Sequence, residues 1–156
     1  MGTGYTDPLV ELLVQTLDMM FAVEAREVDR RSGDAQAPSF DVSGVIGITG
    51  PTTGGIVLSF EDRLARHLTA EMMGEADPGS VAQEDVVDFV GEMANIVAGN
   101  FLQVLGKNGA RDHKISLPSV VVGSHHVVWR KKDGPADLVM FETDHGRCSA
   151  EINVVL

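Results

Sequence analysis

Between Asp85 and Leu105 the apolar residues Val86, Val90, Met93, Val97, Phe101 and Val104 recur at helical spacing. That period commits the stretch to a helix with one buried face. Phe89 and Ile96 widen the apolar face. What remains opposite is a narrow line of Asp88, Glu92, Asn95 and Gly99, stepping by four, three and four. Such steps stack side chains above one another on one surface. A carboxylate and a carboxamide one turn apart are either the water-facing edge of a mostly buried helix or a functional pair. Spacing alone leaves both readings open.

The remainder of the chain supplies a setting for this helix. Asp7-Pro8 opens a first helix, because Asp caps and Pro at the first position gives up an amide that has no partner anyway. Leu9, Leu12, Leu13, Leu17 and Met20 then repeat at helical spacing to about Phe21. Glu24 to Pro38 is charged and punctuated by Gly and Pro, and it reads as a linker with room for a short strand near Arg26–Val28. Ser39–Gly50 and Gly55–Phe60 read as strands joined by the turn residues Pro51-Thr52-Thr53-Gly54. Glu61 to Met73 forms a second helix on Leu64, Leu68 and Met72, and Gly74–Ser80 breaks the chain. The long helix, Val81 to Leu105, is closed by Gly106 and Asn108-Gly109. After Pro118 come the expected strands Ser119–Arg130, Ala136–Thr143 and Cys148–Leu156, linked by 131–135 and 144–146. The order α-β-β-α-α-β-β-β lacks the alternation of a parallel α/β sheet, so the expected class is α+β, helices against an antiparallel-rich sheet. At 156 residues, 1–156 reads as a single domain with a core of its own.

Charge and cysteine content narrow the function classes. Twelve basic against twenty-three acidic residues give a net charge of −11, which argues against nucleic acid and anionic membrane as partners. No apolar run approaches the roughly 20 residues that span a bilayer, and no secretory leader is evident. Met1–Thr6 fits a loose lipidation pattern but reads as a plain N-terminus. The single Cys148 cannot form an internal disulfide. These features lead to the expectation of a soluble cytoplasmic protein.

Other candidate sites are weaker. The Gly47–Gly55 run lacks the P-loop lysine and lies between two strands, so it reads as a hairpin turn. His125 and His126 would point to opposite faces of a strand, His113 and His145 fall in loops, and His67 stands alone on a helix. None shows zinc-ligand spacing, so no metal of its own is expected. Cys148 and the methionines Met72, Met73 and Met93 suit core positions better than chemistry.

Asp88-x3-Glu92-x2-Asn95, followed after twenty-two intervening residues by Pro118, resembles the signature of the CheC/CheX/FliY family of chemotaxis phosphatases. The flanking runs Val45–Gly50, Gly55–Phe60, Ala70–Gly74 and Pro118–Gly123 are also similar to CheX in order, so the resemblance covers the chain from about Asp7 onward. Several relatives carry two copies of the signature. Here only Asn95, among four asparagines, has Glu three residues before it, which is the single-site CheX arrangement. The resemblance implies an enzyme that hydrolyses the aspartyl phosphate of a phosphorylated CheY-like response regulator. It implies that Asn95 orients the attacking water and that Glu92 pairs with the receiver's active-site lysine. Asp88 and Gly99 would belong to the partner-binding surface, and Pro118 would shape the rim of the site. A carboxamide suits water positioning, because it donates and accepts hydrogen bonds without bringing negative charge toward a phosphoryl group. No cofactor of the chain's own is implied; Mg2+ would belong to the partner. CheX-like proteins dimerise through their sheets, so a homodimer is expected. The alternative is a binding module that uses the same helix face to hold a receiver without turnover.

Overall fold

The computed structural model describes residues 4–33, 39–107, 112–124, 126 and 136–155. Three helices cover one face of a seven-stranded, wholly antiparallel sheet. The helices are α1 (Thr6–Phe21), α2 (Asp62–Met73) and α3 (Gln83–Lys107). The strands are β1 (Arg26–Gly33), β2 (Val42–Thr49), β3 (Thr53–Phe60), β4 (Lys114–Ile115), β5 (Ser119–Val122), β6 (Ala136–Thr143) and β7 (Gly146–Val155). They are ordered β1-β6-β7-β3-β2-β4, with β5 also on β2. The expected α+β class is present, and each expected helix and strand has a counterpart, with bounds that differ as follows.

Register places one apolar face toward the helices. Leu58 pairs with Ala150 and Ile56 with Ile152, and Phe141 pairs with Cys148. All six are buried in one core with Leu13, Leu64, Val90 and Phe101 from the helices. Side chains alternate across a strand, so a single register brings these residues to one side. Close approach of α3 depends on Gly44 of β2, where a Cβ would lie 2.9 Å from Ala94 Cβ and 3.1 Å from the Val90 carbonyl. The helix lies almost on the strand backbone.

Several local expectations need correction. The charged segment after α1 is mostly strand: β1 runs eight residues and pairs with β6. Its signal is hidden because Glu27, Asp29, Arg30 and Arg31 neutralise one another in ion pairs rather than alternating with apolar residues. Charged edge strands of this kind resist unwanted pairing. The two-residue β4 was not expected at all; it is too short to carry a pattern. α1 starts at Thr6, so Asp7 lies in its first turn rather than at the cap. There its carboxylate accepts from Arg30 Nη1 at 2.6 Å. The strand after Pro118 ends at Val122, not Arg130, since Gly123 turns the chain at φ 147°. His126 is therefore off the strand, with its ring nitrogens 2.5 Å from the Gly123 carbonyl and 2.7 Å from Ser43 Oγ.

Met20, Met72 and Met73 are exposed, unlike Met93: Met20 lies beside the buried Leu13, Leu17 and Phe21 row of α1, and Met72 and Met73 follow the last buried residue of α2, Ala70. His67 is not alone: its ring stacks on His145 at 3.6 Å between centroids. The C-terminal strand is not an edge, since β7 is flanked by β3 and β6. α3 continues through Gly106 to Lys107; the expected cap at Asn108-Gly109, His125, residues 127–130, the 131–135 connection, Leu156 and residues 1–3 lie outside the described residues.

Candidate active site

α3 is buried along Val86, Phe89, Val90, Met93, Ala94, Val97, Ala98, Phe101 and Leu105. Acidic Glu84 and Asp85 occupy its first turn, where negative charge complements the helix dipole. Its outward edge carries Asp88, Glu92 and Asn95, all exposed, and then half-buried Gly99. None of the three side chains hydrogen-bonds or forms an ion pair with any other part of the protein among the described residues. Other surface acids, Asp7, Glu27, Asp29, Glu61 and Asp62, are each paired with an arginine, whereas the Glu11, Asp18, Glu71 and Glu84 side chains share the open state of Asp88 and Glu92 among the described residues. At Gly99 a Cβ would meet nothing within 4 Å, so the missing side chain leaves a bare spot in line with Asn95.

Pro118 reaches this face from a distant part of the chain. Gly91 is buried, and a Cβ there would lie 3.5 Å from Val120 Cγ2 and 3.7 Å from Pro118 Cγ. Pro118 and β5 thus form a wall beside the helix between the levels of Asp88 and Glu92. The loop leading to the wall is pinned to β2: the Ser116 amide donates to the Gly47 carbonyl, and the Gly47 amide donates to Ser116 Oγ, both at 2.9 Å. Ser116 Oγ in turn donates to the Leu117 carbonyl at 3.0 Å. Between these fixed points Leu117 projects with 89 % of its surface exposed. Sequence inspection passed over Leu117, because a lone leucine before a proline carries no periodic signal.

The four signature positions therefore share one surface: three unengaged polar side chains on a rigid helix, with Pro118 packed alongside. Chemically, this surface offers a carboxylate and a carboxamide to an incoming group. The four signature residues themselves carry no imidazole, hydroxyl or thiol. Cys148 is buried in the core, and that burial pushes its thiol up to about 12. Among the described residues, no group of three or more His, Cys, Asp or Glu side chains could hold a metal ion. No helix among them is long and apolar enough to cross a membrane.

Residues 42–142 match the family model for chemotaxis phosphatase CheX. No curated protein sequence matches the chain. Among solved structures, the chemotaxis protein CheX from Vibrio vulnificus is 29% identical, with a TM-score of 0.87 over 97% of this chain and 99% of that one. A CheC-like protein from Shewanella sp. PV-4 is 30% identical, with a TM-score of 0.85 over 99% of both chains. The CheX–CheY–BeF3–Mg2+ complex from Borrelia burgdorferi is 22% identical, with a TM-score of 0.73 over 97% of this chain and 98% of that one. With the model spanning most of the sequence and the fold shared end to end, this chain belongs to the CheX family of chemotaxis phosphatases.

Proposed function

We propose that the chain is a protein phosphatase for a phosphorylated CheY-like response regulator, with Asn95 as the catalytic side chain and Glu92 as the anchor. One observation carries the reading: Asp88, Glu92 and Asn95 stand in a row on one edge of a well-packed helix, beside Pro118 and without a partner among the described residues, in a chain of the CheX family. Polar groups left free on a well-packed scaffold are available to a second molecule. The Borrelia relative was crystallised with CheY, BeF3 and Mg2+, which supports a receiver as the partner.

The chemistry asks little beyond positioning. Water attacks phosphorus, the bond from phosphorus to the aspartyl oxygen breaks, and the products are the receiver's carboxylate and inorganic phosphate. Asn95 would accept a hydrogen bond from the water through its carbonyl or donate one through its amide, holding the oxygen in line. Positioning of this kind can supply several kcal/mol of barrier lowering. Glu92, one turn away, would repel a phosphoryl group if it faced one directly. Its place is against a cation, and a receiver's lysine meets that need through a charge-assisted bond. Asp88 and the bare spot at Gly99 extend the docking surface in both directions, and Pro118 fixes its rim. The divalent ion that serves this reaction would sit in the receiver. Pairing of two copies through the β5 edge, which bonds only to β2 among the described residues, would give a homodimer with both α3 faces outward.

The test is the decay of acetyl-phosphate-labelled CheY-type receiver with catalytic amounts of the protein. Release of more than one equivalent of phosphate per subunit supports the enzyme. Stoichiometric protection of the label would identify a binding module instead.

A further inference from the structure

We propose that Leu117 is an apolar anchor for the phosphorylated receiver, inserted into a depression beside the receiver's phosphorylation site while α3 engages the phosphoryl group. The inference rests on the phosphatase reading above and names a binding residue outside its signature.

Single exposed apolar residues are ordinary. Leu117 differs in two respects. Its backbone is held on both sides, by the reciprocal Ser116–Gly47 bonds and by the packing of Pro118 against Gly91. Proline also fixes its own φ and restricts the residue before it. A leucine this exposed and this constrained pays little further entropy on binding, which is the condition for an efficient anchor. Second, the next residue, Pro118, packs at Gly91 on the same helix that carries Asp88, Glu92 and Asn95.

A receiver is the occupant because Leu117 is joined through Pro118 to the helix whose open edge would meet the phosphoryl group. The charges agree: Glu92 and Asp88 call for a cationic patch, and Leu117 calls for an apolar hollow at its border. Interfaces concentrate binding energy where apolar anchors fill pockets inside a polar rim.

The experiment compares wild type with Leu117→Ala, Leu117→Asp and the conservative Leu117→Met. It measures steady-state dephosphorylation and titration with beryllofluoride-activated CheY-type receiver domains. Burying one leucine corresponds to roughly ten- to a hundredfold in affinity. Leu117→Ala should therefore raise KM and the Kd for the activated receiver by about tenfold or more at unchanged kcat. Leu117→Asp should bind more weakly still, and Leu117→Met should stay near wild type. Unchanged KM and Kd in the Ala and Asp variants would overturn the anchor while leaving the phosphatase reading intact. A fall in kcat alone would also overturn it, as would loss of a dimer on sedimentation with receiver binding preserved. Inactivity of the wild type toward every receiver would sink both the reading and the anchor.

Discussion

Pro118 rests on Gly91, its Cγ 3.7 Å from the position a Cβ would take, and this contact ties a loop to the middle of the candidate catalytic helix. The spacing is ordinary van der Waals contact, so Gly91→Ala fits without displacing the proline. It removes a glycine from a helix interior and should stabilise the protein by up to about 1 kcal/mol. Gly44→Ala should do the reverse. Its Cβ would stand 2.9 Å from Ala94 Cβ and 3.1 Å from a helix carbonyl, and the backbone cannot yield cheaply. A loss of about 1–3 kcal/mol is expected from such overpacking. Urea unfolding of the two variants checks the sign; equal effects would contradict the packing described.

The His67–His145 stack gives a pH dependence. Burial pushes the His67 pKa below its usual 6.5, the neighbouring His145 adds to this, and Glu71 partly opposes it. In the window between the folded value and 6.5 the unfolded chain binds more protons at His67, so stability rises with pH there. The contribution is complete above 6.5 and is lost as pH falls through the folded value. The urea midpoint should drop between pH 7.5 and 5.5, and by less in His67→Gln. Identical slopes in the two proteins would show that the stack plays no part.

The helix that carries the site was legible in the sequence because its apolar and polar positions separate cleanly at one period. Met93 and Val97 are buried, while Asp88, Glu92 and Asn95 are exposed. The contact from Pro118 to Gly91 was not legible, because a packing partner has no local signature. β1 escaped for a different reason. Its stabilisation comes from ladder bonds to β6 and from charge pairs such as Arg30 with Glu27 at 2.9 Å, neither of which alters hydrophobic periodicity. The exposed Met72 escaped the expectation because helical spacing identifies a face but not where along the helix packing ends, here at Ala70.

Docking should depend unequally on the exposed row. Glu92→Ala should weaken binding of the activated receiver by about 2–5 kcal/mol if the receiver's lysine is left buried and unpaired. Asp88→Ala should be milder. Gly99→Leu has open space within this chain, so it should fold normally yet obstruct the receiver. Calorimetric titration of all three reads these effects, and normal binding by Glu92→Ala would remove the assigned anchor.

Assembly is expected to be dimeric. β5 presents Val121 and Val122 to solvent and pairs only with β2 among the described residues, and exposed edges recruit further strands. Sedimentation at micromolar concentration should give about twice the 16.7 kDa chain mass, and Val121→Lys should lower it. A single 16.7 kDa species at all concentrations would refute the dimer.

The most direct test of the central claim is single-turnover decay of a phosphorylated CheY-type receiver, mixed with excess wild type or Asn95→Ala. A side chain that orders water only in the transition state is missed in rate rather than in affinity. The account predicts that Asn95→Ala binds the beryllofluoride-activated receiver about as tightly as wild type, while accelerated dephosphorylation falls by at least about a hundredfold. Wild-type decay in Asn95→Ala would contradict it and leave α3 a docking face without catalysis.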